Sequence, residues 1–173
     1  MHFRILGNEL RNVVTSSVDD TKRNMRKCAS RHQQLIALVN LLELIYSKST
    51  LFNIISSSIL LCLSGFNIAV VQKTSAVLTF APFLIMSLTQ VFLMCFFGDL
   101  LMASSIQISD AVYGCGWYDA ELSIRRIVLI IMIKSQKPCK VTAANFVDLN
   151  LAAFTTILSR SWSFFALLKT MYN

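Results

Sequence analysis

Polar side chains recur along one side of the last apolar run of the chain, at the spacing of an α-helix. Steps of three and four residues give a polar stripe that consists of Thr156, Arg160, Ser163, Leu167 and Thr170. The opposite side carries large apolar residues, namely Phe154, Leu158, Trp162, Phe165 and Leu168. A spanning helix with one polar stripe has water or a polar partner on that side, and lipid or a packed helix on the other. The pattern indicates a helix that lines an aqueous path, and since one helix cannot enclose a pore, the path requires further copies or partner subunits.

Arg160 is the one charge between Leu149 and Leu168, a run of about one membrane thickness at helical rise. A cation at the centre of a span costs on the order of 2.5–3.5 kcal/mol on insertion scales. Two interpretations of Arg160 stay open: it contacts a hydrated lumen or a partner subunit, or it snorkels because the helix boundary is shifted. If cations pass along the stripe, Arg160 should turn towards a subunit boundary, because a bare cation would repel them.

The sequence contains no group of residues that predicts catalysis. His2 and His32 lie in the polar N-terminal part, and Asp119 and Glu121 are two residues apart, which places them on different faces of a helix. Neither a CxxC pair nor a metal-ligand spacing occurs among the cysteines, which are Cys28, Cys62, Cys95, Cys115 and Cys139. We therefore predict no enzyme, no cofactor and no metal.

Composition predicts a membrane protein. Apolar residues make up 55% of the chain and charged residues only 14%, where a soluble domain has about a quarter. Five Gly and two Pro leave little material for loops, so an all-α chain is expected. The net charge of +7 is concentrated between Lys22 and Arg31. Nucleic-acid binding is one interpretation of that cluster, but the positive-inside rule favours a cytoplasmic flank of a spanning helix, with the bilayer rather than nucleic acid as partner.

Two further runs are long enough to cross a bilayer. Ser49–Gln72 has no charge over 24 residues and Thr74–Gly98 none over 25, whereas a span needs about 20. Buried helices of a large soluble protein are the alternative, which two consecutive runs in so small a chain disfavour. We expect a helical hairpin with a tight outer turn at Gln72 and Lys73, and Pro82 carried as a kink.

The remaining segments also have helical patterns. Met1–Val14 is an amphipathic helix without a preceding cap, which suggests a helix whose upstream part is absent. Asp20 or Thr21 is expected to cap a second helix that runs through the basic cluster. After the second uncharged run the helix should continue to Val112, break at the Gly114–Trp117 stretch, and be followed by a helix over Glu121–Lys134.

These elements give a polytopic helical bundle with three spanning helices plus cytosolic helices. We divide the chain into cytosolic amphipathic helices (1–48), a two-span transmembrane hairpin (49–98), a cytosolic, anchor-like helical segment (99–138) and a final pore-type transmembrane helix (139–173). Eight Lys and Arg precede the first run, one lies in the hairpin turn and five lie between residues 99 and 148. The N-terminal end should therefore be cytoplasmic and the C-terminus extracellular in a multi-pass plasma-membrane protein.

Several short motifs occur in an order that resembles the C-terminal part of insect odorant receptors, from His2 to Tyr172. The motifs are Cys28–His32, Gln90–Gly98, Ser109–Tyr113 with Trp117 and Tyr118, Thr142–Phe146, Phe154–Leu158 and Ser161–Phe165. The Thr-Tyr-x5-Gln-Phe ending of the related gustatory receptors does not occur. Ala144 and Asn145 stand where Gly-Lys is common in the family, and Trp162 and Phe164 replace a pair of tyrosines.

The resemblance implies a seven-span subunit of an odorant-gated cation channel that acts with a shared co-receptor, as a hetero-oligomer that is expected to be a tetramer. This chain would then hold the last three of the seven spans. Its ligand would be a volatile small molecule. The alternative is a truncated, non-conducting membrane protein that only assembles with full-length subunits.

The resemblance also implies positions for the functional residues. The gate would lie at the outer end of the last helix, at Leu167, Thr170 and Met171, with Ser163 and Arg160 further along the pore stripe. The odorant pocket of the family lies among spans two, three, four and six, so only the outer half of the second uncharged run is available here. Candidate pocket residues are Phe80, Phe83 and Met86, for which plain packing is the alternative.

Overall fold

The computed structural model describes residues 2–14, 17–71 and 74–172. Over these ranges the chain forms five α-helices: α1 (His2–Arg11), α2 (Val18–Val71), α3 (Thr74–Tyr113), α4 (Leu122–Ser135) and α5 (Leu151–Tyr172). A single 3-10 turn (Trp117–Asp119) precedes α4, and two short strands, β1 (Thr142–Ala143) and β2 (Val147–Asp148), precede α5. The all-α prediction is confirmed, while the turn predicted at Gln72 and Lys73 lies outside the described residues.

Three of the helices, α2, α3 and α5, are long and apolar enough to cross a membrane. The 22 residues of α5 correspond to about 33 Å, close to the hydrocarbon thickness of about 30 Å. With 54 residues α2 is about 81 Å long, so it must extend well beyond a bilayer. The helix is continuous through Lys48, where the charged N-terminal part meets the uncharged run. In α3 the helix is likewise continuous through Pro82.

The start of α2 corrects one prediction. The helix begins at Val18 rather than after Asp20 or Thr21, because Ser17 acts as the cap. Its Oγ accepts a hydrogen bond from the Asp20 amide at 3.5 Å, and its carbonyl accepts one from the Thr21 hydroxyl at 2.8 Å. A serine three residues before the amide that it caps is a common N-terminal arrangement.

The chain divides into two compact units, and unit 1 consists of Met1–Leu44 and Leu100–Lys140. Four helices contribute its core, in which the fully buried apolar residues include Leu6 and Leu10 from α1, Met25 from α2, Ile108 and Val112 from α3, and Ile124 and Val128 from α4. The α1 helix is fixed to α2 by an ion pair in which one guanidinium nitrogen of Arg31 lies 2.7 and 2.9 Å from the two carboxylate oxygens of Glu9. This pair is partly exposed, so the apolar contacts rather than the charges hold the unit together.

Unit 2 consists of Ile45–Asp99 and Val141–Asn173, and contains the uncharged parts of α2 and α3 together with α5. Its buried core is formed by Ile54, Ala143 and Leu149, with Leu51, Met94, Val141 and Ile157 packed around them. The β-hairpin therefore contributes to the core immediately before α5. Its antiparallel register pairs Thr142 with Asp148 and Ala143 with Val147.

The hairpin is held to α2 at its tip. The Ala144 amide lies within hydrogen-bonding distance of both the carbonyl and the hydroxyl of Ser47, at 3.2 and 2.8 Å. Ala144 and Asn145 have φ values of 51° and 60°, in the left-handed region that disfavours residues with a Cβ. Sequence analysis noted that Gly-Lys is common at these two positions in the family that the chain resembles. Ala144 adopts a left-handed conformation that glycine would adopt at lower conformational cost.

Candidate functional site in the spanning helices

Four hydroxyl side chains of α5 are compatible with a membrane because they bond within the helix. The N-terminus is capped by Asn150, whose side-chain oxygen accepts from the Ala153 amide at 2.7 Å. The hydroxyls of Thr156, Ser163 and Thr170 each donate to the carbonyl four residues earlier, at 2.9 to 3.0 Å. A hydroxyl satisfied in this way costs less in an apolar environment than an unpaired one.

The predicted polar stripe lies on the exposed side of α5. Thr156, Arg160, Ser163, Leu167 and Thr170 are all exposed. At the C-terminal end of the helix the exposed fraction reaches 58% for Leu167 and 79% for Met171. The structure therefore places the candidate pore and gate residues on one exposed surface of α5.

The opposite side of α5 packs within unit 2, with one exception. Phe154, Leu158, Phe165 and Leu168 are partly buried, and the Phe154 ring makes an edge contact with the ring of Phe92 of α3 at 5.5 Å. Trp162, which was grouped with them, is 71% exposed. Ser161 is buried instead, although nothing in the apolar periodicity singled it out.

Arg160 is exposed and has no salt-bridge partner within residues 2–14, 17–71 and 74–172. It points away from the packed side of α5. A hydrated lumen or a partner subunit would satisfy its charge, and so would snorkelling to the membrane surface. Both interpretations of Arg160 given above are therefore compatible with this position.

Two apolar cavities flank α5. A cavity of about 460 Å³ lies between α2 and α5, and its α5 wall is formed by Phe164, Leu167 and Leu168. The other, of about 380 Å³, lies between α2, α3 and α5. Leu167 thus belongs both to the exposed stripe and to the wall of the first cavity.

The candidate odorant-pocket residues lie on α3. Phe80 is partly buried, while Phe83 and Met86 are 60% and 73% exposed. The α3 residues that line the 380 Å³ cavity are different ones, Leu84 and Leu88. The three candidates therefore form part of an open face of α3 rather than a closed pocket within unit 2.

A polar contact joins α2 and α3 within unit 2. The Gln90 amide donates to the side-chain oxygen of Asn53 at 3.1 Å, and the Asn53 amide lies 3.2 Å from the sulfur of Met94. Sequence reasoning missed this pair. The available signal was the presence of Asn and Gln side chains within largely apolar runs, since such residues join spanning helices by hydrogen bonds.

One buried titratable residue lies in unit 1, outside the spanning segments. His32 is only 3% exposed, and its ring makes an edge contact with Phe3 at 6.4 Å between centroids. Burial lowers the pKa of the His32 imidazole, because the charged form loses its hydration. His32 belongs to the first motif of the family resemblance, so the structure gives that motif a packing role.

Comparison with known proteins shows which family the chain belongs to. The model of the 7tm odorant receptor family matches residues 1–161. This chain is an odorant receptor family member. Odorant receptor 85b of Drosophila melanogaster is 32% identical over 174 residues, which cover 100% of this chain and 45% of the relative. Odorant receptor Or2 of Anopheles gambiae is 26% identical over 149 residues, covering 86% of this chain and 39% of the relative.

The fold of this odorant receptor chain is similar to that of a solved insect receptor. The structure of the olfactory receptor OR5 from Machilis hrabei in complex with eugenol superimposes with a TM-score of 0.85 at 16% identity. The match covers 98% of this chain and 44% of that one. The chain therefore spans less than half the length of these relatives, and the match shows the fold alone. The predicted resemblance is confirmed.

Proposed function

We propose that this odorant receptor chain contributes α5 as a pore-lining helix to an odorant-gated cation channel, formed as a hetero-oligomer, expected to be a tetramer, with a shared co-receptor subunit. The observation that carries the proposal is the polar stripe from Thr156 to Thr170, which is exposed along its whole length on α5. Polar residues on a span face a lumen or another subunit rather than lipid. Such a chain acts as a receptor rather than an enzyme.

The gate in this proposal lies at the C-terminal end of α5. Leu167, Thr170 and Met171 follow each other at i, i+3 and i+4, so they form one surface. Two bulky apolar side chains around a threonine suit a constriction that closes by excluding water. Ser163 and Arg160 lie one and two turns deeper, with Arg160 turned towards a neighbouring subunit so that its charge does not repel the permeant cation.

The proposed ligand is a volatile small molecule, and eugenol in the solved relative belongs to this kind of ligand. Phe80, Phe83 and Met86 would supply one wall of its pocket, on the open face of α3. Binding opens the channel only if the ligand interacts more favourably with the open arrangement than with the closed one.

We further propose a plasma-membrane orientation with the N-terminal end in the cytoplasm and the C-terminus outside. The excess of Lys and Arg before residue 49 and between residues 99 and 148 supports it. Segments 1–48 and 99–138 would then be cytosolic, and the second of them, through α4, would hold subunits together. Segments 49–98 and 139–173 would supply the three spans.

A second candidate concerns the 173 residues expressed by themselves. They cover less than half of the relatives' length, which favours a chain that assembles with full-length subunits without conducting. Expression with the co-receptor and recording of odorant-evoked current distinguishes the two. The channel proposal expects currents once a complete pocket is present, whereas the second candidate expects none from this chain in any combination.

The gate assignment has its own test. In a subunit that carries complete spans, Leu167→Ala should change basal leak or ion selectivity, because it removes bulk from the constriction. Leu151→Ala is a matched control, since Leu151 is also an exposed leucine of α5 but lies at its opposite end. Currents from Leu167→Ala that equal those of the wild type would remove Leu167 from the gate.

A further inference from the structure

The 380 Å³ cavity lies within unit 2, is lined by three helices and is open on one side. Its lining comes from α2 (Leu61, Gly65 and Ile68), α3 (Leu84 and Leu88) and α5 (Leu158, Ser161, Trp162 and Phe165). Ligand pockets typically have volumes of about 300–1,000 Å³ and apolar walls with a few placed polar groups. The cavity has that size and that composition, with one hydroxyl among apolar residues.

Ser161 is the polar member of the lining, and its hydroxyl is unusual. The residue is 9% exposed, and its Oγ is buried without a hydrogen-bond partner in the described part of the chain. The other α5 hydroxyls at Thr156, Ser163 and Thr170 all donate to the carbonyl four residues earlier. A buried hydroxyl left unpaired is unfavourable, and buried polar groups usually have a partner. Because a serine hydroxyl turns about a single bond, it can reach a partner inside the cavity.

Gly65 of α2 and Phe165 of α5 lie close together in the lining of the cavity. Gly65 of α2 lines the cavity, and the ring of Phe165 lies 3.5 Å from the position that a Cβ at Gly65 would take. Trp162 lines the cavity while remaining 71% exposed, so it forms the rim. Its ring lies 5.3 Å from that of Phe165. A small molecule entering from the membrane would pass this aromatic rim.

We propose that this cavity binds a small, uncharged, largely apolar molecule with one hydroxyl or carbonyl group, which pairs with the Ser161 hydroxyl. The site is distinct from the odorant pocket proposed above, because the α3 residues that form it, Leu84 and Leu88, are not the candidates Phe80, Phe83 and Met86. A ligand that touches α2, α3 and α5 at once would bias how α5 packs against the other two spans. Binding does not depend on conduction, so the site can exist even if the channel proposal fails.

The test uses Trp162 as a reporter at the rim. The chain has two tryptophans, Trp117 and Trp162, so Trp117→Phe leaves the rim residue as the sole tryptophan, which is excited selectively over tyrosine. The chain is reconstituted in phosphatidylcholine nanodiscs and titrated with 4-bromophenol, whose bromine quenches tryptophan and whose hydroxyl can pair with Ser161. Bromobenzene, which lacks the hydroxyl, is titrated in parallel. The proposal expects saturable quenching by both, with 4-bromophenol binding more tightly.

Three variants connect the quenching to the cavity. Ser161→Ala should weaken the binding of 4-bromophenol about three- to tenfold, which is the effect of one lost hydrogen bond. The affinity for bromobenzene should not change. Ser159→Ala, an exposed serine on the same helix, should alter neither. Leu88→Phe should remove the saturable component for both probes by filling the cavity.

Two outcomes would overturn the proposal. Quenching that rises linearly and equally in all variants would mean that the probes only partition into the lipid. Saturable binding of 4-bromophenol with the same affinity in Ser161→Ala as in the parent would mean that the hydroxyl is not the anchor. The Ser161→Ala comparison is decisive even if Leu88→Phe fails to fold, since it removes a single atom without adding bulk.

Discussion

Gly98 of α3 packs directly against the backbone of Leu149, so that a Cβ at this glycine would overlap the Leu149 carbonyl oxygen and lie 2.9 Å from the Leu149 Cβ. The contact holds the end of the β-hairpin against α3, immediately before Asn150 caps α5. The glycine that closes the Gln90–Gly98 motif therefore fixes where the last spanning helix begins.

We predict that Gly98→Ala destabilises unit 2. The added methyl meets backbone rather than a flexible side chain, so α3 and the hairpin must separate, at a cost of about 1–3 kcal/mol. Thermal unfolding of the purified chain in detergent measures the effect. Gly7→Ala is the matched control, because its Cβ would meet only the Ala111 Cβ at 3.8 Å, an ordinary contact. Equal unfolding temperatures for Gly98→Ala and wild type would contradict the packing described here.

A second prediction concerns the turn of the β-hairpin between β1 and β2. Ala144 has a φ of 51°, which costs a residue with a Cβ about 1 kcal/mol relative to glycine. Ala144→Gly should therefore raise the free energy of unfolding by up to about 1 kcal/mol, even though glycine also gains entropy in the unfolded chain. Asn145→Gly should give a smaller gain, because asparagine tolerates this region better. A loss of stability in Ala144→Gly would show that the turn adopts another conformation.

A third prediction addresses the polar contact between the spanning helices α2 and α3. A double-mutant cycle with Asn53→Ala and Gln90→Ala should give a coupling of about 0.6 kcal/mol, the average for such bonds between membrane helices. Asn67→Ala is the control, since the Asn67 amide donates to the Leu63 carbonyl of its own helix at 2.9 Å. Additive effects at Asn53 and Gln90 would rule out a direct bond in the membrane.

A fourth prediction follows from the buried His32. Burial lowers its pKa in the folded chain, whereas in the unfolded chain the imidazole binds a proton at its ordinary pKa of about 6.5. Stability is fully present above that value and is lost as pH falls towards the lower folded pKa. The unfolding temperature should therefore fall between pH 7.5 and pH 5.5, and His32→Gln should flatten this dependence. An unchanged slope in the variant would assign the pH dependence to other groups.

The sequence predicted the helices because their signals are local. Apolar runs of membrane length locate the three spans, and the glycines near Cys115 mark the end of α3. The cap of α2 was misplaced by a few residues, because several residues near its start can cap a helix and sequence alone does not rank Ser17 above Asp20. The β-hairpin was missed because two-residue strands have no periodicity, and because an alanine such as Ala144 does not indicate a left-handed turn.

The candidate site was predictable in part. Helical spacing alone identified the stripe from Thr156 to Thr170, and the structure leaves that side of α5 exposed. The burial of Ser161 depends on how α2 and α3 pack around α5, which is a tertiary property. The contact between Asn53 and Gln90 likewise depends on how α2 and α3 are aligned along each other, since the two residues are 37 positions apart in sequence.

The most direct test of the pore proposal is the water accessibility of α5 in the assembled receptor. The five native cysteines are free, so they are first replaced, and single cysteines are then introduced at Ser163 and at Trp162. After co-expression with the co-receptor, a membrane-impermeant thiol reagent is applied from outside. The account predicts rapid modification at position 163, faster still with the channel open. It predicts protection at position 162, because it places the polar stripe towards the pore and the opposite side of α5 towards lipid. Equal rates at the two positions, or faster reaction at position 162, would contradict it.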